Sequence, residues 1–240
     1  MIWANLLHLG YNMWGDWDNP FYGSEYWGAK DYLRFDETVW EKITRRMVDA
    51  GLNMVVIDIG EGLAYESHPE LAVKGSWPHA KMRDELGRLR QMGLEPIPKL
   101  NFSTTHDEWL KEYARQVSTP IYYQVCADVI AEVIELFDTP RFFHLGMDEE
   151  TADHQRNFIY IVSRQFDLWW HDLLYLVEQV EKCGSRAWVW SDDIWYHRDV
   201  YLERMPTSVV QSNWYYWDTY HRKRDHRVQA WFDLDERGFD

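Results

Sequence analysis

The sequence predicts an α/β fold of the (β/α)8 TIM-barrel type, with about six of the eight β/α units present in residues 1–240. Two observations indicate this class. Short, almost continuously apolar runs alternate with helical patterns, as parallel strands buried on both faces require. A glycine recurs where each of several helical patterns gives way to a strand. We therefore expect a single, partial barrel domain over 1–240.

Six runs have the length and the β-branched or aromatic content of buried parallel strands. They cover residues 3–10, 53–59, 96–102, 141–147, 186–191 and 208–214. Asp36 is placed to N-cap a helix whose apolar residues lie on one face. Further helices are predicted over 80–92, 120–137, 155–182 and near 197–204.

Glycines mark the helix ends, because a left-handed residue commonly follows the last helical turn. Gly51, Gly93 and Gly184 each precede a predicted strand, and Gly238 repeats the pattern near the last residue of the sequence. A seventh strand is expected to begin there. Since a β/α barrel takes about 250 residues, we expect a barrel that is truncated at its C-terminus or completed by something else. An open doubly wound sheet is the alternative, although no GxGxxG or Walker loop follows any strand.

Composition excludes several functions. The net charge of −15 disfavours nucleic acid and anionic membranes, both of which select basic surfaces. The sequence has no run of 18 apolar residues and no signal peptide. We therefore expect a soluble, cytoplasmic protein, which would be exported only if a signal sequence precedes residue 1. Cys126 and Cys183 lack metal-site spacing, which favours two free thiols over one disulfide.

The carboxyl ends of parallel strands are where β/α folds bind ligands. Acids, amides and aromatic rings gather at these ends, with few Lys or Arg. Such a set suits a neutral polyhydroxyl ligand better than a phosphorylated one, and Trp rings can stack on sugar faces. The residues are Tyr11, Asn12, Trp14, Asp16, Asp58, Glu61, Asn101, His106, His144, Asp148, Glu149, Glu150, Trp190, Asp192, Asp193, Trp195, Asn213, Trp214, Tyr215 and Trp217.

Three consecutive acids follow the fourth strand. Glycosidic hydrolysis needs a carboxylic acid that protonates the leaving oxygen. We expect this role for Glu149, with Asp148 raising its pKa by like-charge repulsion. Glu150 is expected to begin the next helix, where an acid favours the helix dipole.

The histidines and the remaining motifs give weaker signals. Two roles stay open for His144, which is expected either to orient a carboxylate or bind a hydroxyl in the site, or to be a core histidine with satisfied hydrogen bonds. His106 lies in a polar loop after the third strand and is expected either to reach the site or to have no part in it. No HxH, GxSxG or Cys/His pattern is present, so we expect no metal, no cofactor and no covalent Ser or Cys nucleophile.

The fourth strand resembles the signature of glycoside hydrolase family 20, the β-N-acetylhexosaminidases, which reads roughly H-x-G-G-D-E. It stands here as His144-Leu145-Gly146-Met147-Asp148-Glu149. The stretch PIPKLNFSTTH resembles the family's "IPE" strand and "PGH" loop and brings His106 to the corresponding place. WVWSDDIW resembles its "GWDE" strand, and VVQSNW its "VQVW" strand.

The resemblance implies a substrate-assisted, retaining hydrolysis of N-acetylhexosaminides, and hence an N-acetylated oligosaccharide or glycoconjugate as the partner. Asp148 would orient the 2-acetamido group and Glu149 would act as acid and base. Substrate-binding roles are implied for His106, His144, Trp190, Asp192 and Trp214.

The sequence also departs from the family pattern. Met147 stands where the family has a second Gly, and its strand-one Arg has no counterpart in LLHLGYNMWGDW. Two other functions therefore stay open. One is a retaining glycosidase with a carboxylate nucleophile beyond residue 240, and the other is a non-catalytic carbohydrate-binding barrel.

Overall fold

Six parallel strands form one sheet in chain order in the computed structural model, which describes residues 1–18 and 26–240. Strands β1 to β6 are Ala4–His8, Met54–Asp58, Glu95–Lys99, Phe142–His144, Arg186–Trp190 and Val210–Ser212. Helices α1 to α6 are Glu37–Asp49, His79–Gln91, Pro120–Leu136, Asp167–Lys182, Ile194–Arg204 and His226–Glu236. Short 3-10 turns cover Gly60–Gly62, Pro69–Leu71, Glu108–Arg115 and His154–Asn157.

The sheet is a curled half-barrel of parallel strands, in agreement with a partial β/α barrel. All six predicted strands are present. Among the described residues β1 and β6 each pair with one strand only, so a seventh and an eighth unit stay predictions.

The predicted helix ends are confirmed at the glycines. Gly51, Gly93 and Gly184 have φ of +83°, +86° and +86°, which a residue without Cβ adopts at little cost. Gly238 ends α6 in the same way, with φ +77°. Beyond it the Asp240 carbonyl accepts a hydrogen bond from the Gln211 amide (2.8 Å), so the chain returns to the free edge of β6.

One predicted helix was too long. Residues 155–182 were expected to be helical, but α4 begins only at Asp167, and 158–166 are irregular. The reason is Arg164, whose fully buried guanidinium pairs with Glu150 (2.6 Å) and Asp172 (3.1 Å). These two ion pairs hold Arg164 in place, and residues 158–166 remain irregular rather than helical. Helix α6 was not predicted, and α5 begins earlier than expected, at Ile194.

The two faces of the sheet differ in content, and both are buried at the central strands β2, β3 and β4. The face toward the helices joins one large apolar core. The opposite face carries a small apolar cluster of Met54, Val56, Ile97 and Phe142. Toward the carboxyl ends this inner face turns polar, with the buried ion pair of Lys99 and Asp58. The polar side chains therefore lie at the end of the barrel where ligands were expected.

No helix in the described ranges has the length and apolar character needed to span a bilayer. Cys126 and Cys183 are both free thiols, as expected.

Candidate active site

The loop that leaves β4 has an unusual backbone. Gly146, Met147 and Glu149 have φ of +72°, +74° and +59°. A left-handed conformation costs a residue with a Cβ about 1–2 kcal/mol, so the surroundings must hold Met147 and Glu149 in place. Such strain is concentrated at functional sites. At Gly146 no side chain fits, because a Cβ would lie 1.9 Å from Asn101 Oδ1.

The β3 side of the site holds Asp148. Asn101 Nδ2 donates to Asp148 Oδ1 (2.9 Å), while Asn101 Oδ1 accepts from the Met147 amide (3.2 Å). The hydroxyls of Ser103 and Thr105 both donate to the Asp148 main-chain carbonyl. Asn101 thus fixes the Asp148 carboxylate, while Ser103 and Thr105 fix its main-chain carbonyl.

Glu149 lies between two imidazoles. Its Oε2 is 3.5 Å from His106 Nε2, and its Oε1 is 3.3 Å from His154 Nε2. Burial raises the pKa of Glu149, but the hydrogen bonds and charges of His106 and His154 outweigh it and lower the pKa to about 2. The hydrogen bond to Glu149 in turn raises the pKa of His154.

The expected pKa of Glu149 was therefore wrong in direction. Repulsion by Asp148 was expected to raise this pKa. The two imidazoles lie within 3.5 Å of the carboxylate, and their hydrogen bonds and charges lower the pKa instead. A carboxyl group with so low a pKa is ionised at neutral pH.

The acid with a raised pKa in this site is Asp192, which follows β5. Its side chain is buried, and its Oδ2 accepts a hydrogen bond from the Glu149 main-chain amide (2.9 Å). Burial raises the pKa of Asp192 to about 8, and the charge of Asp148 adds to the effect. Its Oδ1 has no hydrogen-bond partner among the described residues.

Glu150 does not begin a helix, so that expectation was wrong. It lies in the irregular loop, where its carboxylate pairs with Arg164 (2.6 Å) and accepts from the Thr104 amide (3.0 Å). The buried guanidinium needs an anion, and Glu150 provides it. The three consecutive acids thus have three different environments.

His144 lies beneath the loop and is fully buried. Its Nδ1 accepts a hydrogen bond from the Gly146 amide (3.0 Å), and its ring packs against Trp188 and Trp190, with centroids 5.0 and 4.6 Å away. Burial and the Lys99 charge hold the pKa of His144 well below its usual range. The neutral ring therefore supports the loop from below.

The other expected site residues divide into two groups. One group surrounds the loop after β4 and consists of His106, Asp192, Asp148 and Glu149. Trp190 lies beside this group and packs against the His144 ring. Trp214 instead packs against Trp195 (4.4 Å between centroids) and Tyr216 (5.3 Å), in an aromatic group that follows β6.

Several residues with direct contacts in the site were not assigned to it from the sequence, among them Asn101, Trp14 and His154. Asn101 and Trp14 had been recognised only as strand-end residues, and Trp14 packs edge-on to His106 at 6.2 Å between centroids. For these two, the position beyond a strand was a usable signal. His154 directly precedes the segment that was expected to be helical, and no sequence signal pointed to its contact with Glu149.

No protein-family model matches the chain, and no curated protein matches its sequence. Solved structures do match. A β-N-acetylhexosaminidase from Bacteroides fragilis has a TM-score of 0.65 at 14% identity, over 99% of this chain and 48% of that one. A chitobiase from Flavobacterium johnsoniae has a TM-score of 0.61 at 14% identity, over 84% of this chain and 34% of that one. The fold resembles that of glycoside hydrolase family 20. The resemblance suggested by the motifs is thus confirmed at the level of the fold, for a chain that spans about a third to a half of these structures.

Met147 stands where the resembled motif has glycine. Met147 keeps the left-handed φ (+74°) that glycine adopts freely. Its side chain is buried, and its sulfur lies 3.6 Å from Arg164 Nη2. Met147 thus combines a glycine-like backbone conformation with a buried side chain.

The site also contains a possible ligand set for a cation. One ligand atom each from His106, Asp148 and Glu149 lie within 4.8 Å of one another. Imidazole and carboxylate suit divalent transition metals. The same three groups also suit acid–base chemistry, for which no metal was expected.

Proposed function

We propose that residues 1–240 form one domain, the catalytic part of a glycoside hydrolase of the β-N-acetylhexosaminidase type. The observation that carries the proposal is the Asp148–Glu149 pair beyond β4, with Asp148 fixed by Asn101 and Glu149 faced by His106. The fold shared with β-N-acetylhexosaminidases supports it. The substrate would be an N-acetylated oligosaccharide or glycoconjugate.

The proposed reaction is substrate-assisted and retaining. The acetamido oxygen of the sugar attacks the anomeric carbon as the glycosidic bond breaks, and Glu149 gives its proton to the leaving oxygen. Asp148 accepts a hydrogen bond from the acetamido N–H and stabilises the oxazolinium charge. Glu149 then takes a proton from the water that opens this intermediate, which restores the acid.

Glu149 must gain its proton when substrate binds, because it is ionised in the free site. The His154 imidazole, 3.3 Å from Glu149 and 40% exposed, is one of the two imidazoles that favour the ionised carboxylate. A neutral sugar that enters the site excludes water and disfavours the charged pair. Proton uptake by Glu149 would then load the acid, against the His154 contact that favours its ionised form.

Substrate contacts are proposed for His106, Trp190 and Trp214, of which Trp190 and Trp214 are partly exposed and present ring faces suited to a sugar. His144 and Asp192 were also expected to bind substrate. Because His144 accepts the Gly146 amide and Asp192 accepts the Glu149 amide, we propose that both support the loop that carries Asp148 and Glu149.

The test compares an aryl N-acetyl-β-glucosaminide with the matching glucoside in the full-length protein. We expect cleavage of the first only, inhibition by a thiazoline mimic of the oxazolinium ion, and no loss of activity with EDTA. Cleavage of the glucoside without thiazoline inhibition would contradict the substrate-assisted reaction.

A non-catalytic carbohydrate-binding barrel is the second candidate. It is favoured by the low pKa of Glu149, which leaves no proton on that carboxyl in the free site. Sugar binding without cleavage of either glycoside would support this function over the first.

A further inference from the structure

Arg164 lies where three distant segments of the chain meet. Its Nη2 donates to the main-chain carbonyl of Phe102 (2.5 Å) and to Glu150 Oε1 (2.6 Å), and its Nη1 donates to Asp172 Oδ2 (3.1 Å). Its Nε donates to the Glu150 carboxylate as well, at 3.2 Å. The side chain has no exposed surface. One buried guanidinium thus connects the loop after β3, the loop after β4 and helix α4.

The contacts of Arg164 flank the Asp148–Glu149 pair. Glu150 directly follows the pair, and Met147, whose sulfur lies 3.6 Å from Nη2, directly precedes it. On the β3 side, the carbonyl that accepts from Arg164 belongs to the residue after Asn101, which holds the first acid of the pair. The guanidinium therefore contacts both ends of the segment that carries the pair and the neighbour of its hydrogen-bond partner.

The opposite end of this network belongs to the scaffold of helices. Asp172 is fully buried in α4, and its carboxylate also accepts hydrogen bonds from the hydroxyls of Ser118 (2.6 Å) and Tyr123 (2.5 Å). Tyr123 lies on α3, so two helices hold the carboxylate independently of the loops. Because the planar guanidinium presents its donors in a fixed geometry, this anchor determines where the other acceptors of Arg164 can lie.

We propose that Arg164 is a positioning residue, which fixes the loop after β4 against the loop after β3 so that Asp148 and Glu149 keep their orientation. The inference deepens the proposed function, on which its catalytic meaning rests. Arg164 itself does not touch the sugar, because its side chain has no exposed surface. Lysine would keep the charge but not the role, since a compact ammonium cannot span acceptors on three segments.

The first experiment measures hydrogen exchange at the Met147 amide of the full-length protein. This amide donates to Asn101 Oδ1 (3.2 Å) and therefore reports the contact between the two loops. In Arg164→Lys its exchange should become about tenfold faster, as expected when one hydrogen bond is lost. Equal exchange in the wild type and in Arg164→Lys would overturn the proposal.

Arg198→Lys is the matched control for this experiment. Arg198 on α5 also donates two of its nitrogens to one buried carboxylate, that of Asp233 on α6. Its replacement removes a comparable paired contact away from both loops, so exchange at the Met147 amide should stay at the wild-type rate. Equal acceleration in Arg198→Lys and Arg164→Lys would show a general loss of stability and would contradict the proposed role.

A milder variant keeps the proposal testable if Arg164→Lys does not fold. Glu150→Gln retains the shape and one acceptor oxygen but removes the charge that strengthens the bond to Arg164. Exchange at the Met147 amide should rise by about threefold to tenfold in this variant. An unchanged rate in folded Glu150→Gln would also overturn the proposal.

Activity separates positioning from a purely structural role. If the protein hydrolyses N-acetyl-β-glucosaminides, Arg164→Lys should lower kcat by about 10²-fold, because a displaced acid loses its alignment with the bond it protonates. KM should change little, since Arg164 makes no contact with the sugar. At a temperature where both variants are folded, Arg198→Lys should keep the wild-type kcat. An unchanged kcat in Arg164→Lys, or a loss confined to KM, would contradict the proposed role.

Exchange at the Met147 amide does not require hydrolysis, so the two proposals fail separately. An inactive wild type with faster exchange in Arg164→Lys would contradict the proposed function and would support the role of Arg164 in the loop. An active wild type with unchanged exchange in Arg164→Lys would overturn the role of Arg164 alone.

Discussion

Two glutamates stand just beyond strands of the same sheet, Glu61 after β2 and Glu149 after β4, in opposite environments. Glu61 is fully buried, and its carboxylate accepts hydrogen bonds from the main-chain amides of Tyr11 (2.7 Å) and Asn12 (3.1 Å). Burial raises its pKa despite these bonds. Glu149 keeps 27% of its side chain exposed and faces imidazoles.

The kind of partner separates the two acids. Main-chain amides do not titrate, so Glu61 acts as a fixed link between the segments that follow β1 and β2. Imidazoles exchange protons near neutral pH, so the partners of Glu149 can change its charge during a reaction. A strand-end position therefore predicts where an acid lies, while its partners indicate whether it serves structure or chemistry.

The largest expected effect is on catalysis at Glu149. Glu149→Gln should lower kcat by about 10²–10⁴-fold, because the leaving oxygen loses its proton donor. Unfolding free energy should change by at most about 1 kcal/mol, since the carboxylate is part exposed. Substrates with an activated leaving group should lose least, and equal losses on all substrates would contradict the role of acid.

Glu61 should show the reverse pattern. Glu61→Ala leaves the amides of Tyr11 and Asn12 buried without acceptors, so denaturant unfolding should report a loss of about 2–4 kcal/mol. Glu149→Ala is the matched control and should cost far less stability. Comparable losses in the two variants would remove the distinction between them.

Substitutions at Met147 measure the backbone strain beside the Asp148–Glu149 pair. Met147→Ala and Met147→Gly both lose a buried side chain, but only alanine retains the cost of a left-handed φ. After allowance for the flexibility of glycine in the unfolded chain, Met147→Gly should be more stable by about 1 kcal/mol. Chemical denaturation measures the difference, and an alanine variant of equal or higher stability would show that the loop relaxes.

The smallest expected effect is at His154. Removal of this imidazole lets the pKa of Glu149 rise, so more of it carries a proton at neutral pH. His154→Gln should therefore raise kcat/KM at pH 7 by about twofold to fivefold, the range of a partly exposed ion pair. A large fall would instead show that the proton must pass through His154.

Strands, caps and glycine helix ends could be predicted because neighbours in sequence determine them, as Asp36 illustrates by accepting the Val39 amide. The position of Asp148 and Glu149 followed from the same local pattern. The segment before α4 and the pKa of Glu149 could not be predicted. Both depend on contacts between distant or irregular segments, those of Arg164 with Asp172 and Phe102 and that of Glu149 with His106.

The central claim is that the substrate's own acetamido oxygen is the nucleophile, oriented by Asp148. The most direct measurement is kcat/KM for aryl glucosaminides whose N-acetyl group carries zero, one, two or three fluorines. Fluorine withdraws electrons from the acetamido oxygen, so the account predicts a steep fall in kcat/KM with each fluorine added. A rate that does not depend on fluorination would contradict it.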